Sequence, residues 1–165
     1  MPTVKEGDIK DKKLIEMDRP EPHTVYKAEV EGFGKVFYKE AFAGNGPEDQ
    51  YELLGNEVES YRMTVGKSVG PEFLAIIVDD KKKPVGFLAK LIKGASEPGR
   101  GDLDKCVEKL EAFHEAGLLY GNDLKRDQFV KDKDGDIWLI DYEYAQASND
   151  KAQMKREVAK LRKVF

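Results

Sequence analysis

Short apolar runs with alternating polar residues predict an antiparallel β-sheet in the first half of the chain. These runs are rich in valine, isoleucine, tyrosine and phenylalanine, which favour strands. Five segments are predicted as strands: 13–17, 25–30, 36–39, 73–78 and 84–91. Glycines at positions 32 and 34 suit the turn of a first hairpin, and the charged run 79–83 suits the turn of a second.

Apolar positions spaced three and four residues apart predict three helices. They span 47–65, 103–116 and 149–165. Pro47 suits a first helical position, and Asp102 is the predicted N-cap of the second helix. The buried stripe of the first helix is predicted to contain Tyr51, Leu54, Val58, Tyr61 and Val65. The apolar side of the third, which is basic, is predicted to contain Ala152, Val158, Leu161 and Phe165.

The stretch 118–145 carries the residue types that phosphate chemistry needs. A hairpin is predicted there, with strands at 128–130 and 137–140 and a charged turn between them. Asp123 precedes this hairpin and Asp141 ends its second strand, so both carboxylates should lie at its open end. Carboxylate and amide oxygens, together with substrate phosphates, are the ligands that magnesium prefers. The stretch therefore predicts a magnesium and phosphate site.

The same stretch resembles the protein-kinase-like superfamily. Asp-Leu-Lys-Arg-Asp-Gln, 123–128, is similar to its catalytic loop, in which an Asp is followed five residues later by an amide. Ile-Asp-Tyr-Glu-Tyr-Ala, 140–145, is similar to the metal-binding segment of choline and ethanolamine kinases and of aminoglycoside-type kinases.

This resemblance implies a role for four residues. Asp123 would orient the attacking hydroxyl, and Lys125 would neutralise the γ-phosphate. Gln128 and Asp141 would hold the metal.

The first half of the chain resembles the N-lobe of a protein kinase. The segment 25–42 is similar to its second and third strands, which implies that Lys39 contacts the α- and β-phosphates of ATP. The segment 56–61 is similar to the helix that carries a partner Glu, so the resemblance pairs Glu57 with Lys39. Glu59 should face solvent, because it lies about 200° further round an ideal helix.

The implied architecture is α+β, a two-lobed protein-kinase-like fold in a single domain, 1–165. It consists of an antiparallel N-lobe sheet with one helix at about 13–94, a hinge and flexible connector at about 92–101, and a much reduced helical C-lobe at about 102–165. Leu91 and Lys93 fall in the hinge, where backbone groups would receive the adenine.

The implied function is ATP- and Mg²⁺-dependent transfer of a γ-phosphate to a hydroxyl of a protein or small-molecule substrate. A protein partner could complete the reduced C-lobe. The alternative is a catalytically inactive pseudokinase that binds a nucleotide or a partner. Three departures from the family pattern favour this alternative: Gly121 replaces a histidine, Gln128 replaces an asparagine, and residues 17–24 lack the glycines of a phosphate-binding turn.

Composition narrows the remaining function classes. The net charge of −4 gives no general reason to expect a nucleic acid or membrane partner. The lone Cys106 cannot form an internal disulfide, and no apolar run approaches the roughly 20 residues that span a bilayer. A cytoplasmic location is therefore expected, with a secreted form left open. Cys106 is predicted to be a core residue, and His114 to be structural.

Aspartates at 132, 134 and 136, followed by Glu143, suggest a calcium loop as a rival site. An EF-hand loop needs glycine at its sixth position, where this chain has Ile137. Strand-forming residues then occupy the place of the expected helix. A charged hairpin turn is the preferred interpretation.

Overall fold

The computed structural model describes residues 2–14, 23–41 and 50–165. The strands are β1 Thr3–Lys5, β2 Ile9–Leu14, β3 His23–Val30, β4 Gly34–Ala41, β5 Phe73–Val78, β6 Pro84–Lys90, β7 Leu118–Leu119, β8 Phe129–Lys131, β9 Ile137–Leu139 and β10 Gln146–Ala147. The helices are α1 Gln50–Met63, α2 Leu103–Glu115 and α3 Lys151–Val164. The predicted start of the first helix at Pro47 and the glycine-free turn at 17–22 lie outside the described residues.

The chain is an α+β protein that divides into two compact units. The first comprises 1–55 and 72–91, and the second 56–71 and 92–165. The first contains a six-stranded mixed sheet in the order β1-β5-β6-β4-β3-β2, and the second contains two small sheets, β10-β7 and β8-β9. Among the helices in the described ranges, none has the length and apolar character that crossing a membrane requires.

The two predicted hairpins of the first unit are confirmed. β3 and β4 pair antiparallel around a turn in which Gly32 and Gly34 adopt positive φ, and β5 pairs antiparallel with β6. β1 is parallel to β5, which makes the sheet mixed. The inward side chains form one apolar cluster: Ala28, Val30, Val36, Tyr38, Ala75, Ile77 and Leu88.

The first predicted strand begins earlier than expected. β2 starts at Ile9, whereas the apolar pattern placed a strand at 13–17, of which 15–17 lie outside the described residues. The register with β3 shifts between Lys10 and Lys13, where Asp11 has a φ of 51°. An edge strand with a bulge can be polar on both sides, so it leaves little apolar signal.

Tyr38 offers a stability test in the core of the first unit. Its side chain is fully buried, and its hydroxyl has no hydrogen-bond partner among the residues that the structure describes. Because an unpaired buried hydroxyl is unfavourable, Tyr38→Phe should leave the free energy of unfolding unchanged or raise it by up to about 1 kcal/mol. Tyr142→Phe is the matched control, because the Tyr142 hydroxyl donates to Leu139 O at 2.7 Å. This variant should lower the free energy of unfolding by about 1 kcal/mol. Equal losses in urea unfolding would contradict this account.

The buried face of α1 includes Leu54 and Tyr61, as predicted, but differs from the predicted stripe at both ends. Tyr51 is 36% exposed and Val65 is 74% exposed. The helix ends at Met63, so Val65 lies in the following turn. The buried positions are Leu53, Leu54, Glu57, Ser60, Tyr61 and Thr64. Ser60 and Thr64 tolerate burial because their hydroxyls donate to carbonyl groups of the helix at 2.8 and 2.9 Å.

Helix α2 forms the core of the second unit largely as predicted. Cys106 is fully buried, and burial, followed by the charge of Asp102, raises the pKa of its thiol to about 12. Asp102 stands at the N-cap position, but its carboxylate does not cap α2. It accepts instead from Gly99 N at 2.9 Å and from Lys131 Nζ at 3.2 Å, because the preceding 3₁₀ turn directs the side chain backward.

Helix α3 packs against α2, and three of its four predicted apolar positions, Val158, Leu161 and Phe165, are buried or half-buried. Met154 and Leu161 are buried, and Ala152 is exposed. Asp150 caps the helix by accepting from two backbone N–H groups at 3.1 Å, which leaves the first turn in solvent. The buried positions therefore begin at Met154, two residues after Ala152.

Candidate functional site

The predicted hairpin near the end of the chain is present. β8 pairs antiparallel with β9, and Gly135 adopts a φ of 84° in the turn between them. The Asp132 carboxylate closes this turn by accepting from Asp134 N, Asp136 N and Trp138 Nε1 at 2.8 to 3.0 Å. These hydrogen bonds, that of Trp138 foremost, lower the pKa of Asp132. The aspartates are therefore turn residues, the interpretation preferred over a calcium loop.

The loop before the hairpin exposes two of the predicted site residues. Asp123 and Lys125 face solvent, whereas Gln128 is 2% exposed and ends a 3₁₀ turn instead of starting a strand. The Gln128 Oε1 atom accepts from Lys125 N at 2.7 Å. The oxygen that the sequence assigned to the metal thus already has one partner within the loop.

One hydrogen bond places the loop beside the segment that contains Asp141. Ile140 N donates to Gln128 O at 2.9 Å. Because Ile140 directly precedes Asp141, the end of the loop and the start of the acidic turn meet at the open end of one hairpin. That the carboxylates of Asp123 and Asp141 form one site stays a prediction.

Asp141 has a left-handed backbone with a φ of 62°. This region is unfavourable for residues other than glycine, although Asp and Asn visit it more readily than most. Two tyrosine hydroxyls hold the residues just before it. Tyr120 Oη donates to Ile140 O, and Tyr142 Oη donates to Leu139 O, each at 2.7 Å. The surrounding structure therefore fixes the conformation of the turn.

The second half of α1 also contacts this turn. The Tyr142 N–H donates to Glu57 Oε1 at 3.4 Å, and Asn56 Nδ2 donates to Glu143 O at 3.1 Å. Sequence reasoning missed Asn56 and the two tyrosines. The one available signal was that a tyrosine within an apolar run needs a partner for its hydroxyl.

Three carboxylates act on a cluster of buried tyrosines in the second unit. Burial raises the pKa of Tyr61, Tyr120 and Tyr142 well above the ordinary value. The charges of Glu57 and Asp141 raise all three further, and Glu143 adds to the effect at Tyr120. The three tyrosines therefore lie close to the carboxylates of this segment.

Gly121 occupies a position that no side chain can fill. Its φ is 77°, and an added Cβ would lie 2.1 Å from the backbone oxygen of Tyr144. The backbone at this position therefore accommodates glycine alone.

Glu157 of α3 anchors the residues at the start of the loop. Its carboxylate accepts from Gly121 N at 3.0 Å and from Tyr120 N at 3.1 Å, and it contacts His114 Nε2 at 2.7 Å. Sequence reasoning missed Glu157, since nothing local marks a helix glutamate as buried. The structural role predicted for His114 agrees with this contact.

The Glu157 carboxylate predicts a pH dependence of stability. Burial alone would raise its pKa, but hydrogen bonds from His114, Gly121 and Tyr120 hold the pKa below its ordinary value. A carboxylate whose pKa is lower in the folded state stabilises the fold at pH values above its unfolded-state pKa. That contribution is lost as the pH falls through the folded-state pKa. Below about pH 4.5, the free energy of unfolding should therefore fall more steeply in wild type than in Glu157→Gln. Urea unfolding across this range, with exposed Glu111→Gln as control, tests it; parallel curves would contradict it.

In the first unit, Lys39 lies on β4 and is 1% exposed. Lysine is rarely buried to this degree, because its charge must be compensated. It pairs across the sheet with Val25 and with Phe87. In the second unit, Glu57 is 2% exposed, and Glu59 is exposed as predicted, with a hydrogen bond from Arg62 Nε at 2.8 Å. The pairing of Lys39 with Glu57 stays a prediction.

The predicted hinge residues fall on either side of the division between the units. Leu91 ends the first unit half-buried, and Lys93 is exposed in the second. The Lys93 carbonyl accepts from Lys133 N at 2.9 Å. Their assignment to adenine stays a prediction.

The predicted flexible connector is hydrogen-bonded within the second unit. Ser96 and Lys131 exchange two backbone hydrogen bonds at 2.9 Å, and Pro98 is buried. The Arg100–Asp102 segment then forms a 3₁₀ turn. These contacts attach the connector to the second unit, and its flexibility stays a prediction.

Asp123 and Lys125 are thus exposed in the loop before the β8–β9 hairpin, and Asp141 lies in a fixed turn after it. Within the described ranges, no three His, Cys, Asp or Glu side chains are grouped so that they could hold a metal ion by themselves. No family model matches this chain, and no curated protein matches it.

Proposed function

We propose that this protein is an ATP- and Mg²⁺-dependent phosphotransferase with a two-lobed protein-kinase-like fold. The observation that carries the proposal is the Ile140 N to Gln128 O hydrogen bond, 2.9 Å long. It joins the last residue of the loop that contains Asp123 and Lys125 to the residue that directly precedes Asp141. The α+β architecture with its mixed sheet is compatible with this fold.

The few candidate ligands are sufficient for Mg²⁺, because this ion does not need a cage made entirely of protein groups. This ion usually binds one or two carboxylates together with waters and substrate phosphates, so a larger acidic cluster is unnecessary. Asp141 would hold it through its carboxylate. Gln128 Oε1 retains a second lone pair beyond the one that accepts from Lys125 N. Bound Mg²⁺ supplies charge neutralisation to the β- and γ-phosphates.

The other residues have roles in binding and proton transfer. The exposed Asp123 carboxylate would orient the substrate hydroxyl and accept its proton, and the Lys125 ammonium would meet the γ-phosphate. Lys39 would contact the α- and β-phosphates, and backbone groups of Leu91 and Lys93 would receive the adenine. The acceptor is a hydroxyl of a protein or a small alcohol.

A phosphate-transfer assay tests the proposal. Purified protein is incubated with Mg²⁺ and γ-labelled ATP, alone, with a protein panel and with small alcohols that include choline and ethanolamine. Labelled product, lost when Mg²⁺ is chelated, is the expected result. Absence of labelled product with every acceptor, including the protein itself, would contradict phosphotransferase activity.

A second candidate function is a nucleotide- or partner-binding scaffold without catalysis. The position of Gln128 favours it, since its side chain is 2% exposed and its oxygen is engaged by Lys125 N. Such a protein would bind ATP or a partner, yet transfer no phosphate. Unchanged function after joint Asp123→Asn and Asp141→Asn substitution would favour the scaffold.

A further inference from the structure

We propose that α3 sets the position of the candidate catalytic loop by holding it at two points, through Glu157 and Arg126. This inference rests on the proposed function, because it concerns the loop that carries Asp123. Both residues are positioning residues, which act on chemistry only through the loop.

The first point lies at the start of the loop. Two consecutive backbone N–H groups, of Tyr120 and Gly121, converge on the Glu157 carboxylate at 3.1 and 3.0 Å. His114 Nε2 of α2 contacts the same carboxylate at 2.7 Å. Hydrogen bonds from N–H groups to a carboxylate are stronger than those to neutral acceptors. The Glu157 side chain is only 13% exposed, so this anion is largely shielded from water.

The second point lies near the end of the loop. The Arg126 guanidinium donates from Nε to Val164 O and from Nη2 to Phe165 O, each at 3.1 Å. It also lies 4.9 Å from the centre of the Phe165 ring. Arginine therefore binds the carbonyl end of α3, where the helix dipole favours a cation.

The segment between these points contains the residues that the proposed reaction uses. Asn122, Asp123 and Lys125 are exposed, and Leu124 is buried. The exposed residues contribute little packing of their own, so the anchored ends at Gly121 and Arg126 limit where Asp123 can lie. A small displacement of a catalytic group can cost about 100-fold in rate.

The hydrogen bond to Glu157 also depends on the absence of a side chain at Gly121. Because residue 121 has no side chain, its N–H can reach the Glu157 carboxylate while its Cα lies against Tyr144 O. The start of the loop is thus held by a carboxylate from a separate helix. Loop geometry then depends on α3.

Amide hydrogen exchange and kinetics together test the inference. In Glu157→Ala, the Tyr120 and Gly121 amides should exchange about 10- to 100-fold faster, because each loses a hydrogen bond to a charged acceptor. The turnover number for phosphate transfer should fall about 10- to 100-fold while the KM for ATP changes less than about twofold. Added acetate should restore both in part, since it can fill the space between the two N–H groups and His114. Glu111→Ala, an exposed carboxylate of α2, is the control.

Variants at the second point keep the test valid if Glu157→Ala does not fold. Arg126→Ala should lower the turnover number about tenfold, and Arg126→Lys should fail to restore it, because lysine lacks the planar pair of donors. Unchanged turnover in the Glu157 and Arg126 variants would overturn the inference. If wild type transfers no phosphate, the proposed function fails separately, and the exchange rates alone decide: faster exchange of the two amides supports positioning by α3, and unchanged exchange overturns it.

Discussion

Gly121→Ala is expected to lower the free energy of unfolding by about 3 kcal/mol or more. A φ of 77° costs an L-residue about 1–2 kcal/mol before any contact is considered. The added Cβ would also lie 2.1 Å from Tyr144 O and 3.1 Å from Tyr144 C. Both are backbone atoms, so the clash can be relieved only by moving one chain segment, which strains the core.

Gly135→Ala is the matched control in the same unit. Gly135 has a φ of 84°, but the nearest atom to a Cβ added there is the flexible Lys105 Nζ at 4.0 Å. Gly135→Ala should therefore lower the free energy of unfolding only by the cost of the left-handed backbone, about 1–2 kcal/mol. Urea unfolding of both variants measures the difference. Equal losses would mean that the close approach at Gly121 is absent in solution.

Asp123→Asn is expected to lower the turnover number for phosphate transfer by about 10²- to 10⁴-fold, the usual contribution of a general base. Asparagine has almost the same shape but cannot accept a proton. The side chain is exposed, and the Asp123 N–H donates to Asn122 Oδ1 at 2.8 Å, so the loop should keep its structure. The affinity for Mg-ATP should change less than about twofold, because Asp123 is assigned to the hydroxyl substrate.

Asp134→Asn controls for the loss of one exposed carboxylate. Asp134 lies in the hairpin turn, where its backbone N–H, and not its side chain, holds the Asp132 carboxylate. The rate of phosphate transfer by Asp134→Asn should equal that of wild type. Similar losses in both variants would indicate a general effect of charge, and retained activity in Asp123→Asn would remove this residue from the reaction.

Strands, turns and α2 could be predicted because their signals are local. Alternating β-branched and aromatic residues marked β3 to β6, and Gly135 marked the turn of the β8–β9 hairpin. Cys106 and its apolar neighbours at helical spacing marked the buried face of α2. In these elements the residue type and the tertiary environment favour the same conformation, so the pattern alone was sufficient.

The α1 face and the polar edge strand could not be predicted, because tertiary contacts decide them. Apolar spacing placed Val65 in the buried stripe of α1, yet the helix ends before it. Ser60 and Thr64 are buried because they satisfy their own hydroxyl groups on the helix. β2 pairs with β3 along its length, and at its start Ile9 packs against the apolar cluster of the sheet.

The candidate site residues were proposed from the sequence, but the groups that hold them in place were not. The sequence singled out Asp123 and Asp141 because they lie on either side of a predicted hairpin. Glu157 acts on the loop from 36 residues away in sequence, a separation at which no local pattern exists. In the sequence, Tyr120 and Tyr142 cannot be distinguished from other apolar residues. The structure shows that their hydroxyl groups donate hydrogen bonds to backbone carbonyls.

Calorimetric titration of ATP, with and without Mg²⁺, into wild type and Asp141→Asn tests the central claim most directly. Asparagine tolerates the left-handed backbone of this position, so the variant should keep the turn while losing the metal-binding charge. The account predicts Mg²⁺-dependent binding by wild type at or below about millimolar ATP, the usual range for such enzymes, and loss of the Mg²⁺ dependence in the variant. Absence of binding at millimolar ATP, or equal binding by the two proteins, would contradict it.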